Sequence, residues 1–397
     1  MTRACWASTY FLTLFLVAPN ARTQQKNPAG REPRGNHYVL PANKDTVQWG
    51  WLDPSEKPKL VVNSGDTVSI ETLRHSLDEI KPGVPMDEIV KLRLANPGGG
   101  PHSVTGPIYV NGAEPGDTLE IRIMKIVIKD EGFNFNLPGK QFPTIGLLAA
   151  EFPEGHVQYF KLDPKTMTTE FKPGIILPLR PFPGTIAVGP DPNEPKEKGG
   201  PPIHDAKGRT STLRPWKNGS NMDVNELQVG SILYFPVFEK GALIWTGDSH
   251  CLQGDGEANL TALECSYKEI EIQPIVRKDL HIEWPRAETS ANWVFMGFDE
   301  DLNEAMKIAV RETVNFLAAQ KTVPMSREEA YALTPSRVDG IAQAIGLSPC
   351  TRARSLIPQR RHRIHARRSP RRYIRRQHRH HENHRRHKKV QRRFLKV

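Results

Sequence analysis

Lys59-Leu60-Val61-Val62-Asn63-Ser64-Gly65-Asp66-Thr67-Val68-Ser69-Ile70-Glu71-Thr72 reads as two short strands around a Gly-Asp turn. The phrase recurs as Pro115-Gly116-Asp117-Thr118-Leu119-Glu120-Ile121-Arg122-Ile123. It returns more faintly as Val229-Gly230-Ser231-Ile232-Leu233-Tyr234-Phe235. Each time a glycine opens the turn and an alternating strand follows. Val68 and Ile70, like Leu119, Ile121 and Ile123, then share an inward face at period two. Such repeated turn-strand units predict a mainly β fold, a β-sandwich with a jelly-roll-like body. The 34 Pro and 30 Gly in 397 residues point the same way, because long helical bundles do not accommodate them.

Outward from these strands the pattern changes. Residues 172–220 are dense in Pro, Gly and charge, and read as long loops over an active face or between sheets. Leu302, Met306, Ala309, Val310, Thr313, Val314 and Leu317 follow at helical spacing behind Asp299, Glu300 and Asp301, whose charge suits a helix N-terminus. Ser326-Arg327-Glu328-Glu329 is a capping box that opens a second helix. These helices make a smaller α+β C-terminal portion of a body spanning 37–335. In the other direction, residues 22–36 read as a linker. Residues 1–21 read as a signal peptide, with Arg3, an apolar run from Tyr10 to Ala18, and small residues at Ala18 and Ala21. Export to the periplasm or the medium is expected. No other run approaches the ~20 apolar residues of a membrane span, so none is expected to hold the processed chain in a bilayer.

The formal charge of +11 belongs to the C-terminus. Residues 351–397 hold 16 Arg, 3 Lys and 7 of the 14 His against one acid, Glu382, and the remainder of the chain is net acidic. The segment 336–397 is atypical and expected to be disordered from about 351. Arg-rich arms bind polyanions through phosphate contacts. Tyr373 and Phe394 are the only aromatics there for base stacking, and an exported protein rarely meets DNA, so no nucleic-acid partner is expected. The bias reads more simply as a shifted reading frame. Beyond Cys5, the cysteines are Cys251, Cys265 and Cys350, too few for a disulfide framework. A Cys251–Cys265 bridge is open, but two free buried thiols are the expectation.

Two clusters carry chemistry. Asn96-Pro97-Gly98-Gly99-Gly100-Pro101-His102 is a glycine-rich loop that lets backbone approach a ligand, with His102 as ligand or base. No Lys-Ser/Thr follows, so it is not a phosphate loop. Gly247-Asp248-Ser249-His250-Cys251-Leu252-Gln253-Gly254-Asp255-Gly256-Glu257 is denser. On a strand, Asp248 and His250 point to one face, close enough to share a divalent metal. Gly254 and Gly256 allow a turn that returns Asp255 or Glu257 toward the same point. Glu264 follows on the next strand, and Asn218–Asp223 offers an amide and an acid, as substrate contacts or a plain Asx turn. No Gly-x-Ser-x-Gly elbow is present.

These phrases in order resemble the acetamidase/formamidase family. The carriers are Gly100-Pro101-His102 with Thr105-Gly106-Pro107-Ile108, Gly112-Ala113-Glu114-Pro115-Gly116-Asp117, Pro183-Gly184-Thr185-Ile186, Gly219-Ser220-Asn221-Met222-Asp223, and Gly247-Asp248-Ser249-His250 with Gln253-Gly254-Asp255-Gly256-Glu257. Ser326 to Tyr331 fits the family's late helix. The resemblance covers roughly 36–335 and implies hydrolysis of short linear amides to a carboxylate and ammonia. A related lactam-hydrolysing member implies a zinc-type centre. Asp248, His250 and His102 are then the expected metal ligands. Glu257, Asp255 and His102 are the expected catalytic groups, and Asn221, Asp223 and Gly100 the expected substrate contacts. Cys251 as a thiol nucleophile is a lesser alternative. A non-catalytic exported β-sandwich that binds a ligand is the competing class. The partner expected is a small amide, with self-association left open. After Tyr331 the chain leaves the family pattern, and a missing closing element would uncover an apolar face.

Overall fold

The structure, a computed structural model, describes residues 35–194, 205, 207–343 and 351–358. The signal-like segment, the linker up to residue 34 and the chain from 359 lie outside the described residues.

Two large sheets carry the body. The first runs, in spatial order, His37–Leu40, Thr67–Ile70, Tyr267–Arg277, Thr118–Ile128, Ile232–Pro236, Arg286–Glu288, Asn292–Asp299, Thr351–Pro358 and Asp339–Gln343. The second runs from Ile175–Pro178 through Thr168–Lys172, His156–Asp163, Glu131–Asn136, Leu263–Cys265, Ile244–Leu252 and Phe182–Ala187 to Gly219–Asn221. Ser103–Asn111 joins it beside Ile244–Leu252 and brings in Val47–Trp49 and Leu60–Asn63. One core cluster holds side chains of both sheets, Val62, Ile108, Ile186 and Ile244 against Val68, Ile121, Leu233 and Ile270, which is the packing of a sandwich.

The three recurring phrases share one structural task. Each carries the chain from the second sheet to the first: Leu60–Asn63 to Thr67–Ile70, Ser103–Asn111 to Thr118–Ile128, and Gly219–Asn221 to Ile232–Pro236. Gly65, Gly116 and Gly230 have φ of +91°, +92° and +90°, a region that costs a side chain and is open to glycine. The residue after each glycine satisfies the turn. Asp66 accepts from the backbone N–H of Asn63 and of Asn36, both at 2.7 Å, and Asp117 from that of Glu114 at 2.8 Å. Ser231 instead donates to the carbonyl of Gln228.

The late helices form as expected. Leu302–Ala318 is capped by Asp301 and buries Ala305, Ala309, Thr313, Val314 and Leu317. Arg327–Arg337 opens on the reciprocal capping box of Ser326 and Glu329. Pro335 sits in its last turn, and the Thr334 hydroxyl donates to the Tyr331 carbonyl that a proline cannot serve.

Three expectations are corrected. Within 172–220, Phe182–Ala187 is a fully buried strand and not loop. Its Pro183 and Gly184 hid it from a propensity reading. Residues 351–358 are not disordered. Thr351–Pro358 pairs with Asn292–Asp299 along its whole length and with Asp339–Gln343 on the other side, because the Asn292–Asp299 strand would otherwise present an unpaired edge. Finally, Cys251 and Cys265 form a disulfide, with Cα atoms 6.0 Å apart on neighbouring strands. They are therefore not free thiols. Among the described residues, no helix is long and apolar enough to cross a membrane.

Candidate metal centre

The site is organised by the strand Ile244–Leu252. One edge pairs with Phe182–Ala187. The other edge changes partner midway, from Ser103–Asn111 at Ile244–Gly247 to Leu263–Cys265 at Ser249–Leu252. Asp248 sits at the change with φ +49°. Such a backbone costs a non-glycine residue on the order of 1–3 kcal/mol and persists only where the surroundings impose it. Ser76, Leu77, Ser220 and Asp223, all next to or within the same cluster, also have positive φ.

Seven buried side chains converge there: His75, His102, His250, Asp223, Asp248, Glu257 and Glu264. They form three groups of potential ligand atoms, His75/His102/Asp248, Asp248/His250/Glu264 and Asp223/His250/Glu257, each within 4.8 Å. His75 Nε2 lies 2.8 Å from Asp248 Oδ1 and 3.3 Å from Glu264 Oε2. His250 Nε2 faces Glu264 Oε1 at 3.4 Å, Asp248 Oδ1 at 3.5 Å, Glu257 Oε1 at 3.6 Å and Asp223 Oδ1 at 3.9 Å. His102 Nε2 is 3.7 Å from Asp248 Oδ2, while its Nδ1 meets the Thr212 hydroxyl at 2.9 Å.

A surrounding layer orients these groups. Thr185 donates to Asp248 Oδ2 at 3.1 Å, and the Ala262 N–H to Glu264 Oε1 at 2.9 Å. With its amide turned to suit its neighbours, Asn221 donates to Asp223 and Asp248, both at 3.1 Å. Tyr267 donates to the backbone carbonyl of His250 at 2.8 Å and braces that strand. Gly184 lies opposite Asp248. A Cβ there would stand 2.6 Å from His250 Nε2 and 2.7 Å from Asp248 Oδ2, so the glycine keeps the cluster open.

The electrostatics are mutual. Burial alone would neutralise His75, yet the Glu264 and Asp248 carboxylates overcome it and lift its pKa to about 10. His102 goes the other way, to about 4, through burial and the neighbouring imidazoles. Burial opposes charge on Asp248, but the three histidines hold it well below the usual carboxylate range. Glu257 is pushed well up by burial and by Asp223.

The donor set fits a divalent ion. Imidazole nitrogens and carboxylate oxygens are the ligands of zinc and similar metals. Nε2 of His250, which faces the carboxylates, and Glu264 Oε2 are buried without a hydrogen-bond partner, a costly state that a ligated ion would relieve. A cavity of about 20 Å³ lies beside Glu264, lined also by His75, His102, Asn221, Asp248 and Glu257, with Arg93, Phe135, Leu137 and Leu260 on its walls.

Sequence reasoning and structure overlap largely. Asp248, His250, His102, Glu257, Asn221 and Asp223 come together. Gly100 is buried beside His102 and Thr212, where a side chain would meet both, so it makes room for the histidine. Asp255 is not brought to the cluster. The turn leaves it exposed, with Asn225 donating to it at 3.3 Å. His75 was missed, for it stands in no motif and reaches the site through a left-handed turn at Ser76–Asp78. Arg93, from the helix Met86–Leu94, was missed with it. Glu264 was noticed as a polar strand residue, and its direct pairing with His250 is the signal that makes it a ligand candidate.

The Acetamidase/Formamidase family model matches residues 42–199 and 203–360. The match extends past Tyr331, where the sequence reading had the family pattern lost. The chain is 27% identical over 199 residues to an acetamidase of Mycolicibacterium smegmatis, 40% of this chain and 49% of that protein. It spans about half the length of the curated relatives it matches. Two solved structures are similar at TM-score 0.69. One is described as a predicted acetamidase/formamidase from Thermoanaerobacter tengcongensis, 26% identical, over 81% of this chain and 96% of that one. The other is an acetamidase from Bacillus halodurans, 25% identical, over 81% and 97%.

Proposed function

The chain belongs to the acetamidase/formamidase family, and on that premise we propose that it hydrolyses short linear amides to a carboxylate and ammonia at a divalent metal centre, with zinc as the ion. The observation that carries this reading is the buried group of three histidines and four carboxylates with orphaned donor atoms beside a cavity of about 20 Å³. A cavity of that size has room for about one water molecule.

Asp248 would hold the metal with His75 and His102, or with His250 and Glu264, and Asp223 and Glu257 form a third group around His250. A bound divalent ion supplies Lewis acidity toward the carbonyl and lowers the pKa of water. The protein's own part is proton management and orientation. Glu257, with its pKa raised, suits a proton carrier: it takes the proton from the attacking water and returns it to the departing nitrogen. Asn221 and Thr185 fix the carboxylates through neutral donors, which holds their orientation without adding charge. Arg93 is the one Arg or Lys on the cavity wall among the described residues, and offers a counter-charge for the carboxylate released. With Cys251 in a disulfide, no thiol nucleophile is drawn from it.

We read the protein as exported. The signal-like segment 1–21 and the Cys251–Cys265 bridge support this, since disulfides persist in oxidising compartments. The function is tested by ammonia release from formamide and acetamide alongside elemental analysis of the purified chain. About one divalent ion or more per chain is expected, with turnover lost on chelation and restored by zinc. Asp248→Ala should reduce turnover by at least about 10³-fold, as loss of a group that acts as part of a unit does. A folded chain that releases no ammonia from either amide would favour a ligand-binding module.

A further inference from the structure

We propose that the Cys251–Cys265 disulfide is a positioning element of the metal centre: it pins Glu264 against His250 from the opposite face of the sheet. This rests on the metal-centre reading above.

The two ligand candidates and the two half-cystines alternate along the same pair of strands. His250 pairs directly with Glu264, and Cys251 and Cys265 each follow one of them. Successive strand residues point to opposite faces. His250 and Glu264 therefore face the donor cluster while the bridge lies in the core between the sheets, fully buried. The same geometry makes a pin useful. Leu263–Cys265 is three residues long, and its pairing with Ile244–Leu252 is irregular between His250 and Leu252. On its other edge a single register pair, Glu264 with Phe133, is formed. A short, bulged strand specifies its register weakly, and a slip of one residue would turn Glu264 away from the site. Two residues upstream, Asp248 leaves extended geometry at φ +49°, so on that side the ladder ends at the single pair Ser249–Cys265. The covalent bridge spans the irregular stretch and fixes the His250–Glu264 pair where Nε2 and Oε1 stand 3.4 Å apart.

The test uses the full chain, stripped with a chelator and titrated with Zn²⁺ against a chromophoric competitor. Peptide mapping of the unreduced protein should recover Cys251 linked to Cys265, and finding both as free thiols would overturn the proposal. Two thiol-free variants, Cys251→Ala/Cys265→Val and Cys251→Val/Cys265→Ala, differ in how they refill the core. If neither folds, wild type reduced by a phosphine is measured in their place. Zn²⁺ affinity should fall at least about tenfold, in the range found when groups that orient ligands are lost. The decisive readout is a double-mutant cycle with Glu264→Gln. In that background, removing the bridge should weaken Zn²⁺ binding by less than about twofold further, because the residue it positions is already disabled. Independent, multiplying losses would mean that the bridge serves general stability, and would overturn the proposal, as would unchanged affinity. If oxidised wild type binds no Zn²⁺, the metal reading fails separately. The same cycle is then scored on acetamide turnover, where unchanged kcat without the bridge overturns the positioning role.

Discussion

At the scale of single residues, the site depends as much on what is small as on what is charged. Gly184 stands opposite Asp248 with a backbone that any residue adopts, so its requirement is space alone. Gly184→Ala should fold, since only one methyl is added. That methyl would displace the His250 ring or the Asp248 carboxylate by several tenths of an ångström or more. Misplacement on that scale costs on the order of 10²-fold in rate. The expected result is a variant with a thermal midpoint near wild type, bound zinc much reduced, and amide turnover down at least about 10²-fold. Retained zinc and turnover would show that the cluster has slack. Residue-level reading of the sequence singled out most members of this candidate cluster because Asp248, His250, Glu257, Asn221 and Asp223 lie in short, dense motifs. It could not separate Asp255 from Glu257. Both flank Gly256, and which of them turns inward depends on a loop conformation with no periodicity to read.

Among elements, the helices obey local rules and the strands answer to their neighbours. The capping box at Ser326 satisfies two backbone groups with two side chains. Ser326→Ala should therefore lower stability by about 1 kcal/mol in urea unfolding, without a change in slope. No loss would mean that tertiary contacts of Ala330 and Thr334 already determine where the helix begins. Phe182–Ala187 was harder to read, because proline and glycine break it, whereas Leu263–Cys265 was read as strand although it is only three residues long. Their β conformation comes from pairing with Ile244–Leu252, which completes backbone hydrogen bonds that a buried chain cannot leave open. The same demand draws Thr351–Pro358 onto the edge of Asn292–Asp299.

Across the whole molecule, the proposed metal centre would couple to pH. His75 in the metal-free chain has its pKa raised from 6.5 to about 10. A raised histidine contributes stability that is fully present below 6.5 and is lost as pH rises through about 10. Ligation by His75 in the proposed centre would need the neutral ring, so zinc binding would release this proton and tighten as pH rises. Thermal midpoints of stripped and zinc-loaded protein should therefore diverge between about pH 6.5 and 10, the loaded form gaining relative to the stripped one. A gap that stays constant across that range would show that His75 is not a ligand.

The sequence alone determined that the chain is a sandwich with late helices, because turn glycines, period-two strands and helix caps are local properties. It also determined which residues are chemically able to act, and through the ordered motifs it pointed to the family that the chain matches. Tertiary structure decided which of those residues meet. His75 comes from a left-handed turn and Glu264 from the middle of a three-residue strand, far apart in sequence. They join Asp248 only because one strand changes partner at that residue, and the empty side of Gly184 leaves room for Asp248 and His250. Side-chain identity is written locally, but the convergence of seven ionisable groups on one buried point is a property of sheet pairing, which no window of sequence contains.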